Sequence, residues 1–97
     1  MNITSVDGNW VKGTHSTAGN TFAFSAKVFP ERNPALGITE GNAEGHVSKL
    51  DITNERLEKI AVRYDRGWDK NNVPGITQDI VEYLERDGVL AKVEQNL

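Results

Sequence analysis

Apolar and polar residues alternate most regularly over residues 21–30, "TFAFSAKVFP", where Phe22, Phe24, Ala26 and Val28 fall on one side and Thr21, Ala23, Ser25, Lys27 and Phe29 on the other. That period of two predicts a half-buried β-strand with the Phe22/Phe24 side toward the core. Pro30 closes it, because proline has no N–H to donate to a ladder. Upstream, residues 9–16 alternate Trp10, Lys12, Thr14 and Ser16 against Val11, Gly13 and His15. They predict a first strand in which Gly13 marks a bulge or a close packing contact. "TAGN" at 17–20 is a turn signal, with Gly19 or Asn20 suited to positive φ, so the two strands read as an antiparallel hairpin.

Residues 46–53, "HVSKLDIT", predict a third strand, with Ser48, Leu50 and Ile52 on one face and Val47, Lys49 and Asp51 on the other. After a turn at 54–58, residues 59–65 predict a fourth, with Ile60, Val62 and Tyr64 inward and Lys59, Ala61, Arg63 and Asp65 outward. Between the hairpins, residues 31–45, "ERNPALGITEGNAEG", read as a long mobile loop punctuated by prolines and glycines. Residues 76–88, "ITQDIVEYLERDG", carry helical spacing in Ile80, Val81, Tyr83 and Leu84, with Thr77 as the expected N-cap and Gly88 as the expected residue beyond the C-cap. Residues 1–8 and 91–97 read as frayed ends. The expectation is therefore one α+β domain over 1–97, in order β-β-β-β-α. A four-stranded antiparallel sheet of two hairpins is packed on one face by a single C-terminal helix.

A chain of 97 residues suits one compact domain with a thin core. It has no cysteine, which excludes disulfides, zinc–thiolate sites and cysteine nucleophiles and leans the expected location to the cytosol. No apolar run approaches the roughly 20 residues of a membrane span, and the N-terminus lacks the basic and apolar segments of a secretory signal. The formal net charge of −3 weighs against non-specific phosphate-backbone binding but leaves room for a local basic patch. A continuous positive stripe joining Lys12, Lys27, Lys49 and Arg63 is the feature that would favour nucleic acid.

Candidate chemistry is sparse. His15 and His46 lie far apart in sequence and in no metal-ligand spacing, and they read as solvent-facing residues near strand ends. The acidic residues of the helix read as a solvated face. No G-x-S-x-G, G-x-G-x-x-G or phosphate-binding loop occurs. The densest constellation is "RYDRGWD", residues 63–69. Structurally, Tyr64 continues the inward face, Gly67 permits a turn, and Trp68 folds back to cap the sheet end. As a site, Arg63, Arg66 and Trp68 form a partner-recognition patch, since Arg and Trp dominate interface hot spots.

Four stretches, "WVKGT" (10–14), "FSAKVF" (24–29), "GHVSKLDI" (45–52) and "YDRGWD" (64–69), occur in an order that resembles a family of small bacterial and bacteriophage proteins of unknown function. The resemblance implies a phage- or prophage-type accessory protein and supplies no activity, cofactor or catalytic residue. The functional expectation is a non-enzymatic protein-binding module without a cofactor, with a homodimer through a sheet edge or face as one form. The alternative is a nucleic-acid-associated module.

Overall fold

The computed structural model describes residues 1–33, 45–65 and 67–97. Six strands run in the order β1 (Asn2–Asp7), β2 (Trp10–Thr17), β3 (Asn20–Asn33), β4 (Gly45–Asn54), β5 (Lys59–Asp65) and β6 (Trp68–Asn71). They are followed by α1 (Pro74–Leu84) and α2 (Asp87–Gln95). Every strand pairs antiparallel with its sequence neighbour, so the sheet is a six-stranded meander with β1 and β6 at its edges. The expected four-stranded sheet with one C-terminal helix is thus corrected on three counts. Residues 2–7 form an additional edge strand, residues 68–71 form another, and the helical part is two helices with a break after Leu84. Residues 31–33 and 45 belong to β3 and β4, while the expectation of a mobile loop falls, for residues 34–44, outside the described residues.

The core is where the alternation of β3 places it. Phe22, Phe24, Ala26 and Val28 are buried, joined by Val11 of β2, Leu50 and Ile52 of β4 and Val62 of β5. Ile80, Val81 and Leu84 of α1 and Val89 and Val93 of α2 close over them. Both helices therefore lie on one side of the sheet, and burying their apolar stripe is what stabilises segments too short to be helical alone. α1 begins at Val73–Pro74, with proline in its first turn, where a missing N–H costs nothing. Thr77 is not its N-cap. It lies inside α1, buried, with its hydroxyl 2.8 Å from Asn71 Oδ1, to which it donates. Gly88 does not end a helix either, since it is the second residue of α2.

Four bulges shape the sheet. On β4, Lys49 pairs with Lys27 and Val47 with Val28, leaving Ser48 as the extra residue. Ile3 pairs with Gly13 and Ser5 with Lys12, leaving Thr4 as the extra residue on β1. Ile52 pairs with Val62 and Thr53 with Ile60, which makes Ala61 the extra residue on β5. That slip turns Ile60 outward, 38% exposed, where strict alternation puts it inside. Arg63 pairs with Lys70 and Tyr64 with Trp68, so Asp69 is the extra residue on β6. On β3 the ladder is interrupted between Val28 and Asn33 around Pro30, yet the strand continues beyond it. At the β2–β3 turn, Thr17 pairs with Asn20, and the two residues between them, Ala18 (φ 50°) and Gly19 (φ 78°), both take the left-handed conformation of a type I′ turn.

Gly13 is a close approach, with the β1 bulge directly beside it. It sits in continuous register with β3, opposite Phe24, and faces Ile3 on β1 at the step where the extra residue Thr4 shifts the register. A Cβ there would come within 3.0 Å of the Asn2 carbonyl oxygen and of the Phe24 ring, which lies across the space a side chain would occupy.

Candidate functional site

With the helices on one side, the opposite side of the sheet is the surface on which outward-pointing residues line up, and the register assigns them to rungs. One rung runs Asp7–Trp10–Lys27–Lys49–Asp65 across β1 to β5. The next runs Ser5–Lys12–Ser25–Asp51–Arg63–Lys70 across all six strands. A third, Thr14–Ala23–Thr53–Ile60, completes the face toward the β4–β5 turn. Two open concavities, of about 490 and 370 Å³, lie on this face and share Lys12 and Ser25 in their walls. Thr4, Thr14, Asp51 and Thr53 line the larger, and Ser5, Asp7 and Trp10 the smaller. Trp10 is 39% exposed, a large apolar ring set among charges.

The two central rungs carry five cations against three carboxylates among the described residues, a local excess of two positive charges. Arg63 Nε donates to Asp51 Oδ1 at 3.3 Å, and Lys49 Nζ lies 3.8 Å from Asp65 Oδ1. Both pairs are solvated, each contributing about 0.2–1 kcal/mol. Lys12 and Lys27 have no ion-pair partner among the described residues, and the Lys27 ammonium sits 5.5 Å over the Phe29 ring. Residues 74–95, on the other side of the sheet, carry five acidic side chains against Arg86 and Lys92. The two sides of the molecule thus differ in sign.

The residues singled out from "RYDRGWD" do not converge on one face. Arg63 lies on the outward rungs. Trp68 opens β6 opposite Tyr64, whose ring packs on the core side, and the two rings meet edge-to-face at 5.0 Å. Trp68 remains 46% exposed, so it leans on Tyr64 without being a buried cap. Arg66 lies outside the described residues. The residues the sequence reading gave less weight, Trp10, Lys12, Lys27 and Lys49, are the ones the register gathers. Their parity along each strand was the available signal.

The histidines are not solvent-facing. His46 is 6% exposed, its Nδ1 is 2.8 Å from the Phe29 carbonyl oxygen, and its backbone N–H donates to the Glu85 carboxylate at 2.9 Å. Since a carbonyl oxygen only accepts, the hydrogen is on Nδ1. The ring and Glu85 together tie the start of β4 to the end of α1. His15 sits near the opposite end of the sheet, with Nε2 3.5 Å from Asp79 of α1. Among the described residues no group of three or more histidine, cysteine, aspartate or glutamate side chains is placed to hold a metal ion. Among them, too, no helix is long and apolar enough to cross a membrane.

A family model described as a domain of unknown function, DUF7678, matches residues 9–87. The matched span runs from the first residues of β2 through α1 to the start of α2, beyond the stretches that carry the sequence resemblance. Neither the curated proteins nor the solved structures yield a match.

Proposed function

Because the chain belongs to the DUF7678 family, a domain of unknown function, we propose its role from its own surfaces: a non-enzymatic module that binds a protein partner through the outward face of the sheet. The observation that carries this reading is the mixed-sign lattice around Trp10, in which Lys12, Lys27, Lys49, Arg63 and Lys70 are interleaved with Asp7, Asp51 and Asp65. A surface with both signs in fixed register complements another protein's mixed surface and rejects the wrong register. The four cations that would favour nucleic acid do share this face, but Asp51 and Asp65 sit among them and neutralise two. A phosphate-tracking surface is uniform in sign. The concavities are open troughs, a shape suited to side chains of a partner more than to engulfing a small substrate.

Both edges argue for the face over strand addition. β1 and β6 each carry a bulge, and β6 is only four residues long with Asp69 and Lys70 on it, which are the devices that discourage edge pairing. A phage- or prophage-type accessory role is the setting the sequence resemblance implies, and the cysteine-free composition favours the cytosol as its place. The test is affinity capture from lysate of the source organism with the wild-type chain and with Lys49→Glu/Arg63→Glu. The reading expects a protein retained by the wild type and lost by the double variant at unchanged folding. A partner retained equally by both would place the contact elsewhere.

A further inference from the structure

Lys27 of β3 and Lys49 of β4 are direct cross-strand partners on the open face, so their Cβ atoms lie about 4.5–5.5 Å apart. Like charges directly opposed destabilise a sheet, and Asp65 relieves only the Lys49 end. Trp10 faces Lys27 from β2, and Lys12 and Ser25 face each other one rung away, beside the smaller concavity. The arrangement is a patch of three lysines in which Ser25 lies between Lys12 and Asp51, the Asp51 carboxylate being engaged by Arg63, with an exposed indole as the wall. A local choice that costs stability, set beside an exposed aromatic ring, is where a binding function is expected.

We propose, resting on the binding-module reading above, that the Trp10–Lys12–Lys27–Lys49 patch receives an acidic side chain of the partner protein. Its carboxylate lies between the ammonium groups, and a neighbouring apolar residue lies on the Trp10 ring. A carboxylate needs one such spot. A nucleic-acid strand needs a run of them, and the cationic stretch of this rung ends at Asp65, one strand beyond Lys49, with Asp7 beyond Trp10 on the other side. Carboxylate contact with lysine is a point-charge interaction that tolerates several approach angles, so the indole supplies the orientation.

The test is an NMR titration of the full chain with an acidic peptide in which aspartate and glutamate flank one phenylalanine. Parallel arms use the same peptide with asparagine and glutamine in their place, and a thymidylate oligonucleotide. The expected result is saturable shifts at the Trp10 indole N–H and at residues 12, 25, 27 and 49 with the acidic peptide only. Lys27→Glu should weaken that binding at least tenfold. Because Lys27→Glu sets a carboxylate opposite Lys49, its melting temperature should equal or exceed the parent's, so lost binding is not lost folding. Absence of localised shifts, equal binding by Lys27→Glu, or tighter binding of the oligonucleotide at these residues overturns the proposal. If the proposal fails while a captured partner still requires Lys49 and Arg63, the binding face stands and only its acidic ligand is wrong.

Discussion

Replacing Gly13 with alanine adds one methyl group at the most crowded of the described glycines. The new Cβ would meet the Asn2 carbonyl oxygen on β1 and the Phe24 ring on β3, both inside 3.0 Å, a separation that real Cβ atoms do not show. One obstacle is backbone and the other is a ring that is 3% exposed and packed in the core, so neither swings away freely. Relief must come from loosening the start of β1 or tilting Phe24 off its rotamer. Overpacking of this kind costs about 1–3 kcal/mol. In a domain of this size each kcal/mol moves the melting temperature by about 4–8 °C, so Gly13→Ala should lower it by about 5–20 °C. Calorimetry or circular dichroism reads this directly. Gly67→Ala is the control, since a Cβ there meets nothing within 4 Å, and it should stay within about 0.5 kcal/mol of the parent. Trimming the obstacle by Phe24→Leu in the Gly13→Ala background should return part of the loss, a positive coupling between neighbours. A Gly13→Ala protein melting within 2 °C of the parent would refute the close approach and with it the registry of β1, β2 and β3.

Other substitutions probe other joints. Trp68→Ala should cost only about 0.5–1.5 kcal/mol, the worth of an edge-to-face ring contact, because Trp68 is half exposed; a loss above about 3 kcal/mol in a denaturant melt would mean the ring is a buried cap after all. Ala18→Asn should raise stability by about 1 kcal/mol or less, since Ala18 sits at φ 50° in a turn that favours Asn-Gly; thermal melting that shows a decrease would contradict that turn. Glu85→Ala should cost about 1–3 kcal/mol by leaving the buried His46 N–H without its acceptor, and hydrogen exchange at His46 should accelerate ahead of global unfolding; unchanged exchange would dissolve the tie between β4 and α1.

The parts of this fold that were legible in the sequence are those where the period of two runs unbroken. β3 alternates from Thr21 to Phe29, and its Phe22/Phe24 side is the core side as read. β1 was hidden by its bulge. Ile3 and Val6 share the inner face although they are three residues apart, because Thr4 is the extra residue, so no alternation exists to be read. Strict alternation puts Ile60 inward for the same reason in reverse, since Ala61 shifts the phase. β6 is too short and too polar to carry a pattern, and only its pairing with β5 defines it. The second helix does leave a signal, Val89 and Val93 one turn apart, but Gly88 reads as a helix stop in the sequence while it lies in the first turn of α2.

The candidate site was half legible. Parity alone puts Trp10 and Lys12 on one side of β2 and Ser25 and Lys27 on one side of β3. Which of them face each other, and that Lys27 meets Lys49, depends on register, which is a property of strand pairs and not of any one strand. Arg63 and Trp68 are near in sequence but lie on different faces, since Arg63 pairs with Asp51 and Lys70 while Trp68 pairs with the inward Tyr64.

Lysine labelling reads the proposed contact face directly. The wild-type chain, alone and in complex with its captured partner, is treated with an amine-acetylating reagent, and modification is followed lysine by lysine by mass spectrometry. Lys12, Lys27 and Lys49 on the outward rungs should lose reactivity in the complex, while Lys92 on α2, across the sheet, should keep it. Protection of Lys92 with Lys12, Lys27 and Lys49 unchanged would place the partner on the helices and contradict the account.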